Sequence, residues 1–440
     1  MNTNATIVAP ATPPGYGGVS IVRLSGPQSR SIIKKITRLN SLENRTSTLT
    51  SIYDKGGKFD DVLVCFFKNP NSYTGEDVVE VSCHGNPIIV DTIVSLAVQH
   101  GAVLAEPGEF TKRAFINGRL DLIQAESVAQ LIESKSLESA RLNNKTLAGV
   151  LSAELLFIRE NLISALSELE FEFDISEDEL PRPNLIKNIH KTINNNILRC
   201  DGLIKSFTEG RLLSRGARVV LCGEPNVGKS TLMNAILQQD RAIVSQTPGT
   251  TRDTIDATIV LSGLPITFID TAGVREKADT LELMGIQRTN TEITNADLVL
   301  NIASPQSQHI DNTKVNPRQV RVFNKTDLLR SDRREKNTFY VSAKNNTGVG
   351  ELKKLILSYL ISTSKSQPDT LLTSRRQLVQ VQKCESFLKN ANSLLIQNNT
   401  ELELVAHEIH GAISSIDVLL GKTTVDDILN RVFSGFCVGK

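Results

Sequence analysis

The stretch from Gly223 to Ser230, GEPNVGKS, has the spacing GxxxxGK[ST]. That spacing suits phosphate binding. Glycines let the backbone N–H groups wrap phosphate oxygens, a lysine adds a point charge at the β/γ oxygens, and a terminal hydroxyl can ligate Mg²⁺. Lys229 and Ser230 are those two side chains, and Asn226, Val227, Gly228 and Thr231 complete the loop. An apolar run, RVVLC, precedes the loop and TLMNAIL follows it, so a strand is expected to deliver it and a helix to receive the phosphates.

Further elements follow in order along the chain. PGTTRD holds Thr250 and Thr251, hydroxyls that can reach Mg²⁺ and a γ-phosphate. TIVLSGLPITFIDTAG reads as a hairpin with its turn at Ser262–Pro265 and with Asp270 ending the second strand. Asn324, Lys325 and Asp327 follow the run VRVF, and Ser342, Ala343 and Lys344 follow FYV. An aspartate after a strand can accept both the N1–H and the 2-amino group of guanine, donors that adenine does not offer. The order places every element at the carboxyl edge of one mostly parallel sheet, where α/β folds bind ligands. GTP is therefore the expected nucleotide.

One position breaks the Ras-like pattern. After Asp270, Thr271, Ala272 and Gly273, the chain continues Val274-Arg275, where a glutamine would orient the attacking water. Hydrolysis then needs another source of charge, worth about 10³–10⁵ in rate when an arginine supplies it. Arg252, Arg275 and a monovalent cation are all open on the residues alone.

The elements around this core differ in texture. Residues up to about 118 alternate strand-like runs (TIVAP, GGVSIVRLSG, DVLVCFF, DVVEVSCHG) with helix-like ones near Ser29–Leu39 and in IIVDTIVSLAVQHGA. From Leu120 the heptad-like spacing predicts two long helices, and a third from about Leu185 to Phe207 after Pro181 and Pro183. Strand–helix alternation runs from about Arg215 to Leu360, and helix returns in RRQLVQVQKCESFLKNANSLLIQ. Four segments are expected: an α/β domain over 1–118, helices over 119–213, an inserted α/β domain over 214–362, and helices with a short tail over 363–440. At 440 residues, net charge +1 and 40% hydrophobic composition, the chain can bury several cores and gives no whole-chain field for nucleic acid. Six scattered cysteines with no CxxC pair fit a reducing, cytoplasmic setting. No run of apolar residues is long enough to suggest a membrane span, and the N-terminus lacks a signal-peptide pattern.

The outer motifs ATPPGYGGVSIVRLSG, SYTGEDVVEVSCHG, PGEFTKRAFINGRLDLIQAE and FSGFCVGK, with the inserted GTPase signature, resemble the tRNA modification GTPase family, MnmE (also called TrmE), over essentially the whole length. Val438 and Asn301 depart from the commoner family residues. The resemblance implies a multidomain α/β plus α fold: an N-terminal folate-binding and dimerisation domain, and a helical domain interrupted by a Ras-like P-loop GTPase domain. It implies a K⁺ held by Asn226, Ser245, Thr247 and Thr250, Mg²⁺ at Ser230 and Thr251, and nucleotide contacts through Gln246, Pro248 and Gly249 as well. Glu282 takes the water-positioning role, which its place in the sequence alone does not suggest. A reduced folate such as 5-formyltetrahydrofolate is assigned to Arg23, Glu80, Arg119 and Lys440. The implied activity is K⁺-activated GTP hydrolysis coupled to (carboxymethyl)aminomethyl modification of the tRNA wobble uridine. The expected assembly is a homodimer that forms a heterotetramer with the FAD-dependent partner MnmG. Cys437 is open between a nucleophile and a packed thiol. His84 reads as a turn residue beside Gly85 more readily than as a catalytic base, and Glu76 and Asp77 read as caps or solvated acids. A ribosome-assembly GTPase would share the nucleotide motifs and lack FCVGK. A dimerisation scaffold would need only the helices and leaves the phosphate loop unexplained.

Overall fold

The computed structural model describes residues 5–174, 183–238, 256–270, 291–305, 307, 318–329, 338–361, 370–396, 402–423, 429, 432–436 and 439. The chain divides into two compact units, Met1–Ala129 with Ile413–Lys440, and Gln130–Ala412. Among the described residues no helix is long and apolar enough to cross a membrane.

The first unit is built on a six-stranded sheet. Its strands are β1 (Ile7–Pro10), β2 (Gly17–Ser25), β3 (Ser47–Asp54), β4 (Gly57–Phe67), β5 (Val78–Gly85) and β6 (Val103–Leu104), in the order β3-β4-β5-β2-β1-β6. Alternation along β2 and β5 decides which face is which. Val22, Leu24, Val79, Val81 and Cys83 are buried with residues of α1 (Ser29–Thr37) and α2 (Pro87–Gln99). Arg23 and Glu80, one step out of phase, pair across the strands on the other face. Asn86 caps α2 by accepting from the Ile88 N–H at 2.9 Å, with Pro87 in the first turn, where its missing N–H costs nothing. A short helix, α3 (Glu109–Ile116), places Phe110 against Ile7, Ala9 and Ala105. Gly108 precedes it at φ 70°. A Cβ there would lie 2.8 Å from the Phe433 carbonyl, so the C-terminal stretch seats against a residue that must be small.

The predicted pair of long helices is instead three: α4 (Leu122–Ile132), α5 (Leu137–Leu147) and α6 (Val150–Asp174). Ser136 starts α5 by accepting from the Ser139 N–H at 3.0 Å, and Gly149, at φ 89°, ends it. Apolar spacing runs through both breaks, which hides them in the sequence. The next helix, α7 (Pro183–Arg215), runs further than predicted and stops at Gly216, whose φ of 84° turns the chain into the second sheet.

That sheet has the order β12-β11-β10-β7-β9-β8. The strands β7 (Ala217–Cys222), β9 (Leu264–Asp270), β10 (Leu298–Ala303), β11 (Gln319–Phe323) and β12 (Thr338–Tyr340) are parallel, and β8 (Asp256–Leu261) joins the edge antiparallel to β9. The hairpin is where the sequence predicts, but its turn is only Ser262 and Gly263, at φ 47° and 85°; Leu264 and Pro265 already pair in β9. Helices α8 (Lys229–Gln238) and α9 (Val349–Leu360) contribute Leu232, Ile236, Leu352 and Ile356 to its core. The second unit continues into α10 (Arg375–Leu395), which begins with a capping box between Ser374 and Gln377, and α11 (Leu402–Leu420) runs across the division at Ala412.

Where α7 leaves for the second sheet and the chain returns, the buried side chains are polar. Ser214 Oγ donates to Asn143 Oδ1 at 2.7 Å, and Asn143 Nδ2 donates to the Gln130 carbonyl at 3.0 Å and to Ser134 Oγ at 2.9 Å. Thr373 Oγ1 donates to Gln130 Oε1 at 3.3 Å, and Ser139 Oγ donates to the Ser214 carbonyl at 2.7 Å. Asn143 is fully buried at the centre of this network. Asn143→Leu strands several partners at once and is expected to destabilise the unit by on the order of 3 kcal/mol, the upper end for an orphaned buried polar group. Denaturant unfolding of the full-length variant measures this; an unchanged midpoint would mean that the network relaxes freely.

Candidate functional site

The carboxyl edge of the second sheet gathers the phosphate-loop and base-recognition residues. The loop between β7 and α8 passes close under its neighbours. Gly223 has φ 150° and a Cβ there would lie 2.2 Å from the Ile302 carbonyl; Gly228 has φ 90° and a Cβ would lie 2.5 Å from Asn324 Nδ2. Asn226 also holds a left-handed backbone, at φ 63°, and Val227 anchors the loop in the core. Lys229 is buried and its ammonium donates to the carbonyls of Gly223 and Glu224, each at 3.0 Å, which fixes it across the mouth of the loop. Ser230 Oγ donates to Asp270 Oδ2 at 2.7 Å, and Asp270 is itself buried at the end of β9. A hydroxyl and a carboxylate this close form a hard oxygen pair, the donor type Mg²⁺ takes. Thr231 follows on the exposed side of α8.

Asn324 braces the loop from β11. Its amide donates to the Val227 carbonyl at 3.0 Å and the Gly228 carbonyl at 3.3 Å, and its oxygen accepts the Ala343 N–H at 3.0 Å. Lys325, at φ 59°, donates to the Asn226 carbonyl at 2.6 Å. Asp327 stays exposed and accepts from the buried Ser342 hydroxyl at 2.5 Å. That hydrogen bond, foremost, holds the Asp327 carboxyl below its usual range; Lys344 and Lys325 add smaller attractions. Lys344 lies exposed beside it. The phosphate loop, the Asn324–Asp327 turn and the Ser342–Lys344 turn are thus one hydrogen-bonded assembly. Ser245, Gln246, Thr247, Pro248, Gly249, Thr250, Thr251, Arg252, Thr271, Ala272, Gly273, Arg275 and Glu282 lie outside the described residues, so the expected K⁺ loop and water-positioning glutamate have no geometry here.

In the first unit Arg23 donates from Nε to Glu80 Oε1 at 2.9 Å and forms an ion pair with it from Nη2 at 2.8 Å. Its Nη1 donates to the Gly439 carbonyl at 3.4 Å. The guanidinium carbon also lies 5.5 Å from the Tyr73 ring centre and 5.8 Å from that of Phe110. Tyr73 is fixed by a 2.8 Å hydrogen bond to Thr111 Oγ1. Carboxylate, guanidinium and two aromatic rings form a donor set suited to a flat, hydrogen-bonding heterocycle, so a reduced folate fits these residues. Tyr73 and Phe110 stand inside SYTGED and PGEF, yet nothing in their spacing assigns them to this group. Arg119 sits at an exposed turn after α3, its stem beside Gly75, and no hydrogen bond or ion pair joins it to Arg23 or Glu80 among the described residues. Lys440 and Cys437 lie outside the described residues.

Two expectations for neighbouring residues change. Glu76 is no solvated cap: it accepts from Arg113 Nη1 at 3.1 Å and from Ser25 Oγ at 2.6 Å, in a network that also holds Glu109. His84 does not cap the turn with its ring, which binds Asp60. Asp77 does cap, accepting the Asn69 N–H at 2.9 Å.

Residues 6–119 match the family described as GTP-binding protein TrmE N-terminus, and residues 122–437 the family described as MnmE helical domain. The chain is 37% identical to the tRNA modification GTPase MnmE of Koribacter versatilis over 459 aligned residues, which cover 100% of both chains. It is 38% identical to the protein of that name from Thermotoga maritima, over 99% of this chain and 100% of that one, and 36% identical to that of Pseudothermotoga lettingae, over 99% of both. With relatives this similar aligned end to end, and both family matches falling where the two sheets and the helices stand, the chain belongs to the tRNA modification GTPase MnmE family.

Proposed function

We propose that this protein is a K⁺-activated GTP hydrolase which, with the flavoprotein MnmG, adds a folate-derived one-carbon unit during (carboxymethyl)aminomethyl modification of the tRNA wobble uridine. The convergence of the phosphate loop, Asp270 and the Asn324–Asp327 turn on one sheet edge carries the GTPase half of this reading. The family membership and the Arg23–Glu80 pair, with the Arg23 guanidinium over the Tyr73 and Phe110 rings, support the folate half. Lys229 would grip the β/γ-phosphates, and Ser230 and Thr251 would hold Mg²⁺, with Asp270 at the end of β9 accepting the Ser230 hydroxyl. With no glutamine after Gly273, Asn226, Ser245, Thr247 and Thr250 would hold a K⁺, which would supply the positive charge that the missing side chain does not, and Glu282 would position the water. A homodimer is the working state, cytoplasmic and assembled with MnmG.

Turnover in K⁺ is the direct test. At equal ionic strength, GTP hydrolysis is expected to be at least about tenfold faster in K⁺ than in Na⁺, a modest share of what an added positive charge can contribute. Asn226→Ala is expected to lose most of that difference with little change in GTP affinity. Equal rates in the two salts would return the role to Arg252 or Arg275.

A further inference from the structure

The outer side of α1 serves neither the nucleotide edge nor the Arg23–Glu80 pair. Residues 1 to 42 hold five lysines and arginines and no aspartate or glutamate, in a chain whose net charge is only +1. Four of those cations, Arg30, Lys34, Lys35 and Arg38, fall on α1 and its C-cap. Ser29, Ile32, Ile33, Ile36 and Thr37 are buried on the other side of the helix, the isoleucines in the core of the first sheet. Arg30, Lys35 and Arg38 are exposed, and Lys34 is half-buried. Arg30, Lys34 and Arg38 stand at i, i+4 and i+8, so like charges neighbour one another turn by turn, about 6 Å apart along the axis.

Ordinary stabilisation does not account for this stripe. None of the four cations forms an ion pair among the described residues. Acids do stand nearby in the unit: Glu43 after the helix, Asp54 ending β3, Asp77 before β5 and Asp91 on α2. Asp54 accepts the Gly56 N–H at 2.7 Å and Asp77 the Asn69 N–H at 2.9 Å instead. Cations in the last turn suit the helix macrodipole, which covers Lys34, Lys35 and Arg38. Arg30 sits in the first turn, where the dipole opposes a cation and no acid offsets it. Both arginines are laid on rings. The Arg30 guanidinium carbon lies 5.2 Å from the Phe66 ring centre, with Nη2 donating to the Leu42 carbonyl at 3.0 Å, and that of Arg38 lies 4.1 Å from the Tyr53 ring centre. A guanidinium backed by a ring is oriented in advance and keeps in-plane N–H groups for an anion.

We propose that the outer side of α1 is a docking surface for the phosphate backbone of tRNA, an inference that rests on the tRNA substrate of the reading above and not on its folate or K⁺ parts. A row of cations that repel one another when free gains most from a polyanion, whose condensed counterions it releases. Each turn of the helix offers one cation to a strand of closely spaced phosphates. The ring-backed guanidiniums can bind phosphate oxygens with paired N–H groups, which a lysine cannot. No large apolar side chain of α1 is exposed, so the helix lacks the apolar face with which a surface helix enters lipid. The helix covers one face of the sheet, while Arg23 and Glu80 pair on the other. The surface therefore grips tRNA away from the modified base, and it sets affinity without entering the chemical step.

Lys34→Gln with Lys35→Gln removes two charges and leaves the arginines on their rings. The control, Lys205→Gln with Lys389→Gln, removes two exposed charges that Asp201 and Glu385 already pair. Net charge falls equally in both, so a loss confined to the first is not an effect of the overall field. The full-length proteins are compared in tRNA binding by fluorescence anisotropy, over a range of sodium chloride at fixed potassium chloride. The KM for tRNA and kcat of modification are measured with MnmG and GTP, beside GTP turnover without tRNA. Sedimentation with phosphatidylserine vesicles and calorimetric binding of MnmG probe the two other anionic partners.

Lys34→Gln with Lys35→Gln is expected to weaken tRNA binding at least about tenfold at low salt and to flatten the dependence of log Kd on log salt by about 0.7–0.9 for each lysine. The KM for tRNA is expected to rise at least about tenfold, with kcat and GTP turnover within about twofold. A structural role for the lysines would lower stability and leave the salt slope alone. The control is expected to match the unaltered protein. Unchanged affinity, slope and KM in the first variant, while the unaltered protein modifies tRNA, would overturn the proposal alone. So would an equal loss in the control, or a loss of vesicle or MnmG binding with tRNA binding intact, which would give the surface to a lipid or an acidic protein. Neither binding nor modification of tRNA by the unaltered protein would remove the tRNA reading and the proposal together.

Discussion

Asp327→Asn is expected to weaken GTP binding by at least about a hundredfold and to give the protein a preference for xanthosine triphosphate. Asp327 stands exposed at the end of the Asn324–Asp327 turn, with one oxygen on the Ser342 hydroxyl. Its carboxyl is held below its usual range, so it remains a pure acceptor through neutral pH and well into acid. Guanine offers two donors on one edge, N1–H and the 2-amino group. Xanthine keeps N1–H and carries a carbonyl at C2. A carboxylate facing that carbonyl meets acceptor with acceptor, whereas an asparagine amide can donate to it and still accept N1–H. Ser342 can donate to the asparagine oxygen as it does to the carboxylate, so the turn keeps its shape. Asn324 keeps its own bonds to Val227, Gly228 and Ala343, so the phosphate loop is undisturbed. The change therefore isolates base recognition from phosphate binding. Competition of GTP and xanthosine triphosphate for a fluorescent nucleotide measures both affinities. Unchanged GTP affinity with no gain for the xanthine nucleotide would place the base elsewhere.

What the sequence made legible, and what it did not, divides by how far apart the partners lie. The phosphate loop, the Ser262–Gly263 turn and the strand ending in Asp270 are local patterns, so spacing alone placed them. The breaks before α5 and after Gly149 are local too, yet the apolar periodicity ran across them and outweighed the cap residues. Asp60 was invisible as a partner of His84, because it sits 24 residues away in another strand. Arg23 and Glu80 came from resemblance, and the two rings beside Arg23 come from an α3 helix and a loop that only the folded sheet brings near. Most remote is the polar network around Asn143, in which Thr373 and Gln130 are 243 positions apart. Each of its members reads as an ordinary polar residue of an amphipathic helix or linker. Only the insertion of one domain into another puts them face to face.

Gly439→Ala is expected to abolish wobble-uridine modification while leaving GTP hydrolysis intact. Gly439 has φ 95°, and a Cβ there would fall 1.9 Å from the Pro10 carbonyl and 3.1 Å from Ala11 Cα. Both neighbours are backbone, at the end of β1, so they cannot swing aside as a side chain would. The tail must move instead, and its carbonyl is a hydrogen-bond acceptor for Arg23 Nη1. A displacement of about 1 Å at a reacting centre can cost on the order of a hundredfold in rate. Here the displacement is larger, at the residue beside Lys440 and two positions from Cys437. The fold itself should survive. Phe433 and Phe436 lie upstream, buried and packed ring to ring at 5.5 Å, and hold the stretch against Gly108. The GTPase residues belong to the other compact unit, with a core of their own. Gly435→Ala is the matched control, because a Cβ at Gly435 meets nothing within 4 Å. Modification in cells carrying each variant, beside GTP turnover of the purified proteins, separates the outcomes. Gly435→Ala should behave as the unaltered protein. Gly439→Ala with normal modification would show that the close seat of the tail on β1 has no part in the chemistry. Loss of GTP turnover along with modification would show instead that the two units depend on each other's integrity.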